Sequence, residues 1–241
     1  MSIYGKLAGA AAGLYMGGPL GALLGSIAGH YFIDKEAPYD PEKRPEDQVA
    51  FSIGIIALSA KMAKADGVVT KDEIAAFRQI FKVPPEDAKN VGRLFNLAKK
   101  SVAGFEAYAG QLAGLFNGRP EVLEDVMDGL FHIAKADGVL HPAELSYLEN
   151  VASIFGFSAE DFIRIKSRHM ELDQRDPYVA LGVLREDSSA HIKRTYRKLV
   201  AENHPDRLMA RGVPKEAIVI ANDKLAAINA AYDEIAKERG L

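Results

Sequence analysis

At 241 residues, with 48% of them apolar, the chain is long enough for about two domains and apolar enough to bury a real core. A formal net charge of -3 argues against nucleic acid as the main partner, because that binding is driven by clustered Lys and Arg. With no cysteine there is no disulfide framework, no thiolate metal site and no cysteine nucleophile.

From Leu7 to Gly29 no side chain is charged, and at ~1.5 Å per residue this run is long enough to cross a hydrocarbon core of ~30 Å. Residues 1–33 therefore read as a glycine-rich transmembrane helix. Gly9, Gly13, Gly17, Gly21 and Gly25 recur at every fourth position, a groove in which another backbone can approach closely, so this helix is expected to pair two copies into a homodimer. Pro19 in "GGPLG" opens a second arrangement, a re-entrant hairpin. A cleaved leader or a soluble buried helix are blander readings of the same run. Lys6 precedes it and Lys35, Lys43 and Arg44 follow, a bias that places the bulk of the chain on the cytoplasmic side of a single-pass span.

Residues 34–48, "DKEAPYDPEKRPEDQ", are charged and carry three prolines, the composition of a stiff solvated linker. Beyond it the chain duplicates itself: "AKADGVVTKDEI" at 63–74 returns as "AKADGVLHPAEL" at 134–145. Each copy reads as helix, tight turn, helix, with Asp66 and Gly67, or Asp137 and Gly138, at the turn. Thr70 with Glu73 fits a capping box, and Pro142 with Glu144 suits the first turn of the next helix. Asp66, Glu73, Asp137 and Glu144 are also candidate metal ligands, although the regular oxygen ligands of an EF-hand loop are missing. The doubled turn, with a Glu seven positions after each Asp, resembles the TerB-like helical fold of tellurite-resistance proteins over residues 49–171. That resemblance implies acidic residues proposed as metal ligands.

In "RDPYVALGV", Asp176 caps a short helix, Pro177 takes its first position and Gly182 ends it. A second helix from Ser189 to Asn203 puts Ile192, Tyr196, Leu199 and Val200 on one stripe and Lys193, Arg194, Arg197 and Lys198 on the other. A third, starting near Lys215, aligns Ile218, Ala221, Leu225, Ile228, Tyr232 and Ile235, so the two long helices pack antiparallel across the segment holding His204, Pro205 and Asp206. With "YRKLVAENHPDR" in this setting, residues 176–241 resemble a J-domain. The resemblance implies that His204, Pro205 and Asp206 touch a DnaK-type Hsp70 and promote ATP hydrolysis there. The basic stripe, with Arg207 beside the turn, would steer the module onto an acidic partner surface. The segment "LMARGVPKEAIVIAND" is longer than the loop of many J-domains.

Taken in order, the apolar leader, TerB-like middle and terminal J-domain resemble the DjlA family of DnaJ-like inner-membrane co-chaperones. The expected fold is all-α throughout. The family implies a DnaK-type Hsp70 and client proteins as partners, a bacterial inner-membrane location and no cofactor. No P-loop, H-E-x-x-H or G-x-S-x-G motif occurs, so no enzymatic centre is expected. The alternatives are a metal-binding stress sensor with the J-domain as its output, or a soluble Hsp70 adaptor.

Overall fold

The computed structural model describes residues 13, 21, 45–65, 75, 104–170, 175–214 and 217–241, and among these it is helical with no strand. Nine helices have defined bounds there: α1 Pro45–Ala65, α2 Phe105–Leu115, α3 Pro120–Ala134, α4 Pro142–Ile154, α5 Ala159–Arg168, α6 Pro177–Leu181, α7 Ser189–Glu202, α8 Pro205–Ala210 and α9 Ile218–Arg239.

α1 is the central rod of the middle bundle. It opens at Pro45, inside the stretch read as linker, since a first-turn proline lacks only a donor that has no partner there anyway. Every residue from Ala50 to Met62 is buried, because a helix that is apolar on all sides must be covered on all sides. Two of its buried polar side chains have partners at hand. The Ser52 hydroxyl donates to the Gln48 carbonyl at 2.8 Å, and the Lys61 ammonium lies 5.5 Å from the centre of the Tyr108 ring. Tyr147 of α4 donates to the Leu58 carbonyl at 2.8 Å. Helices α2, α3 and α4 all pack on this rod.

The caps follow the sequence reading. The Glu144 carboxylate accepts from the His141 amide at 3.0 Å, so α4 starts where Pro142 and Glu144 predict. Ser158 and Asp161 bond each other's amides at the start of α5. In the C-terminal module, Asp176 accepts from the Tyr178 amide at 2.9 Å and Gly182, at φ 67°, closes α6. α7 and α9 pack against each other with Tyr196 stacked on Tyr232 at 4.0 Å, around a core that includes Tyr178, Leu181, Ile192, Ile228 and Ile235.

One expectation is revised. The third long helix begins at Ile218 rather than near Lys215. The segment before it carries the short helix α8, which His204 caps. Of the glycine ladder, Gly13 and Gly21 fall among the described residues. A Cβ on Gly21 would stand 2.1 Å from the Gly13 carbonyl oxygen. At this pair the close backbone approach is made within the chain. Gly9, Gly17 and Gly25 lie outside the described residues, as do Asp66 and Glu73. No helix among the described residues is long and apolar enough to cross a membrane.

Candidate functional site

The site begins where α7 runs out. Asn203 is buried, and both its amide and its side-chain nitrogen donate to the Leu199 carbonyl, at 3.0 and 2.8 Å, which ends the helix. His204 follows in extended conformation (φ -64°, ψ 137°) and Pro205 occupies the first position of α8, where its fixed φ suits a helix start. The His204 carbonyl accepts from the Arg207 and Leu208 amides, and its ring Nδ1 accepts from the Asp206 amide at 3.3 Å. A ring nitrogen that accepts carries no proton, so Nε2 is the donor.

The tip is open to solvent, with the His204 side chain 58% exposed and that of Asp206 80% exposed. Arg194, Arg197 and Lys198 are exposed and Lys193 is half-buried, so α7 presents a cationic face next to the tip. The Lys198 ammonium comes no nearer than 3.9 Å to Glu202. Tyr196, Arg197, Val200, Ala201, His204 and Arg207 line a groove of about 380 Å³ between α7 and α8. Of the predicted residues, Arg197, His204 and Arg207 share this groove with Pro205 and Asp206 beside it, while Lys193, Arg194 and Lys198 lie along α7. Such an arrangement offers a short, stiff donor and acceptor pair flanked by positive charge, which suits docking on an acidic protein surface.

Behind the tip lies a feature that sequence reasoning missed. Lys224 of α9 is buried, and its Nζ stands 3.1 Å from Glu124, 3.1 Å from Asp125 and 2.9 Å from Asp128, all on α3. Arg164 and Arg168 of α5 close on Glu124 at 2.9 and 2.7 Å, and Arg211, the residue that ends α8, reaches Asp125 at 3.3 Å. His169 donates from Nε2 to Asp128 at 2.8 Å. Burial alone would push the Glu124 and Asp128 carboxyls up, but Lys224 and Arg168 outweigh it and hold both below the usual carboxylate range. Asp125 goes the other way, burial raising it against Lys224 and Arg211. Burial would lower Lys224, but three carboxylates raise it. The signal was present in the sequence: Lys224 sits in register with Ile220, Ala221 and Ile228, so a cation on an apolar stripe called for buried anions.

Of the metal candidates, Asp137 and Glu144 fall among the described residues. Asp137 accepts from the Val139 amide at 2.9 Å and Glu144 from the His141 amide, both turn and cap contacts. Among the described residues no group of three or more His, Asp or Glu side chains is arranged to hold a metal ion.

The family model for tellurite resistance protein TerB matches residues 52–167. The co-chaperone DjlA transmembrane domain matches residues 1–56, and the DnaJ domain matches residues 176–239. A co-chaperone protein DjlA from Photobacterium profundum is 30% identical, covering 99% of both chains. The chain belongs to the DjlA co-chaperone family. Further DjlA proteins from Vibrio cholerae, 30% identical, and Coxiella burnetii, 27% identical, each cover 100% of both chains. No solved structure matches. For a DjlA-family chain the exposed His204 tip falls in the DnaJ match, and the cluster around Lys224 straddles the TerB and DnaJ matches.

Proposed function

We propose that this chain is a membrane-anchored co-chaperone that stimulates the ATPase of a DnaK-type Hsp70 and directs it to clients at the cytoplasmic face of the bacterial inner membrane. Residues 1–33 anchor it and pair two copies, the linker up to residue 44 tethers it, residues 45–171 form the TerB-like domain with α1, and residues 176–241 form the J-domain. The observation that carries this reading is the His204–Pro205–Asp206 tip, exposed and shaped by its own cap, standing beside the cationic face of α7. The chain itself performs no bond chemistry: its work is to dock, and hydrolysis occurs in the partner. Charge brings the surfaces together, and the short-range contacts of a preorganised tip then select the productive pose.

The test is single-turnover ATP hydrolysis by a DnaK-type Hsp70 with the full chain in detergent micelles. His204→Gln is expected to lower stimulation about thirtyfold, the loss of a central contact worth about 2 kcal/mol. Because the ring is exposed and bonds only within its turn, the fold should be unchanged by circular dichroism. Equal stimulation by the two proteins would sink the reading.

A further inference from the structure

The long segment "LMARGVPKEAIVIAND", which runs from α8 into the first turns of α9, has a place in the fold that its family resemblance does not explain. Leu208, Val213, Ala217, Ile220 and Ala221 are all buried, and they belong to the hydrophobic core of the middle bundle, not to the core that holds Tyr178, Ile192 and Ile235. Gly212, at φ 99°, lies so close to the start of α1 that a Cβ there would stand 2.6 Å from the Asp47 Cβ. Asp47 is itself fixed by Arg119, whose two Nη atoms donate to it at 2.5 and 3.1 Å. Then Arg211 within this segment and Lys224 just after it enter the anionic cluster on α3.

α8 is only six residues long, far below the roughly 12–15 at which an isolated helix becomes even marginal in water. What keeps it formed is tertiary anchoring, and that anchoring is Leu208 in the middle core together with Arg211 on Asp125. The cap that shapes the tip depends on α8 existing, because the His204 ring accepts from an amide of its first turn.

We propose that Arg211 and Lys224 are positioning residues for Hsp70 stimulation: they clamp the segment onto α3, so the middle bundle holds α8, and with it the His204–Pro205–Asp206 tip, in its active shape. The J-domain of this chain is thus not a freely tethered module but one face of a two-domain body. This inference rests on the co-chaperone reading for its functional consequence, while its structural half stands apart from it.

Two readouts on the full chain in detergent separate these halves: amide hydrogen exchange across residues 205–213, and single-turnover stimulation of a DnaK-type Hsp70. In the unmodified protein the α8 amides should be protected relative to a free peptide; exchange at the free-peptide rate overturns the clamp. Arg211→Gln and Lys224→Met should each speed exchange across α8 while α1 stays protected. Stimulation should fall about three- to tenfold, the scale of coupling changes produced by residues remote from a site. Lys224→Arg, keeping the charge, should restore most of it. Should Lys224→Met fail to fold, Arg211→Gln at the rim of the cluster decides the matter. His204→Gln should lower stimulation about thirtyfold, with exchange sped only at the Asp206 amide that its ring caps and the rest of α8 still protected. If it leaves stimulation intact, the co-chaperone reading fails and the exchange data still judge the clamp. Unchanged α8 exchange in a folded Arg211→Gln, or an opened α8 with undiminished stimulation, overturns the proposal.

Discussion

His169 gives the stability of this protein a pH dependence whose sign can be worked out from its surroundings. The ring is buried, stacked on Phe131 at 4.9 Å, bonded to Asp128 of α3 and faced by Lys135 and Arg168. Burial lowers its pKa, and Lys135 and Arg168 add to that against the pull of Asp128. The folded state therefore keeps the ring neutral while the unfolded chain takes up a proton near pH 6.5. Below that value the unfolded state binds more protons, so stability falls as pH falls, by up to about 1.4 kcal/mol per pH unit from this group. Melting temperature should decline between pH 7 and 5, and His169→Gln, which keeps a donor for Asp128, should flatten the decline. Glu124 and Asp128, held low, give stability that persists above their unfolded values near 4 and is lost only as pH drops below them. Asp125, raised, has the opposite sign, and its protonation on acidification offsets part of that loss. A melting temperature that is level from pH 7 to 5 would contradict a neutral buried His169.

Among the elements, two glycines show how one substitution can have unlike outcomes. Gly129 lies inside α3, where a Cβ would meet the Ile55 Cδ1 of α1 at 2.7 Å and the Ile220 Cδ1 of α9 at 3.0 Å. Both atoms are the far ends of side chains that can shift, and alanine gains about 1 kcal/mol of helix propensity over glycine, so Gly129→Ala should be near neutral. Gly212→Ala meets the Asp47 Cβ at 2.6 Å, next to backbone, and also forces a side chain to φ 99°. It should cost about 2–3 kcal/mol, and chemical denaturation of the two variants side by side checks the contrast. The elements themselves were largely legible. Asp176, Pro177 and Gly182 announce α6, and Pro142 with Glu144 announces α4, because caps act through neighbours in sequence. α8 was not legible, since six residues lack the periodicity that marks a helix and it is stabilised by side chains of α3 distant in the chain. The tip was readable as a motif, and Lys224 could be flagged from its register on an apolar stripe, whereas Leu208 and Arg211 act through long-range packing that no local pattern encodes.

Over the whole molecule, charge is distributed so that a chain of net charge -3 still carries a cationic end. Many of its charges are paired internally: three carboxylates of α3 are matched inside the cluster by Lys224, Arg168, Arg164 and Arg211, and so contribute little field outside it. Arg194, Arg197 and Lys198 are exposed on α7, with Lys193 half-buried beside them, and their field reaches solvent next to the tip. Steering by such a face is screened over a Debye length, about 10 Å at 0.1 M salt and shorter above it. The concentration of this chain giving half-maximal stimulation of a DnaK-type Hsp70 should therefore rise about tenfold as salt goes from roughly 0.05 to 0.3 M, while the maximal rate changes little. Replacing Lys193, Arg194, Arg197 and Lys198 by Gln should raise that concentration at low salt and remove most of its salt dependence, leaving the maximal rate set by the tip. The two effects are separable because the charges act before contact and His204 acts after it. A quadruple variant with the full salt dependence of the parent would place the steering charges elsewhere on the molecule.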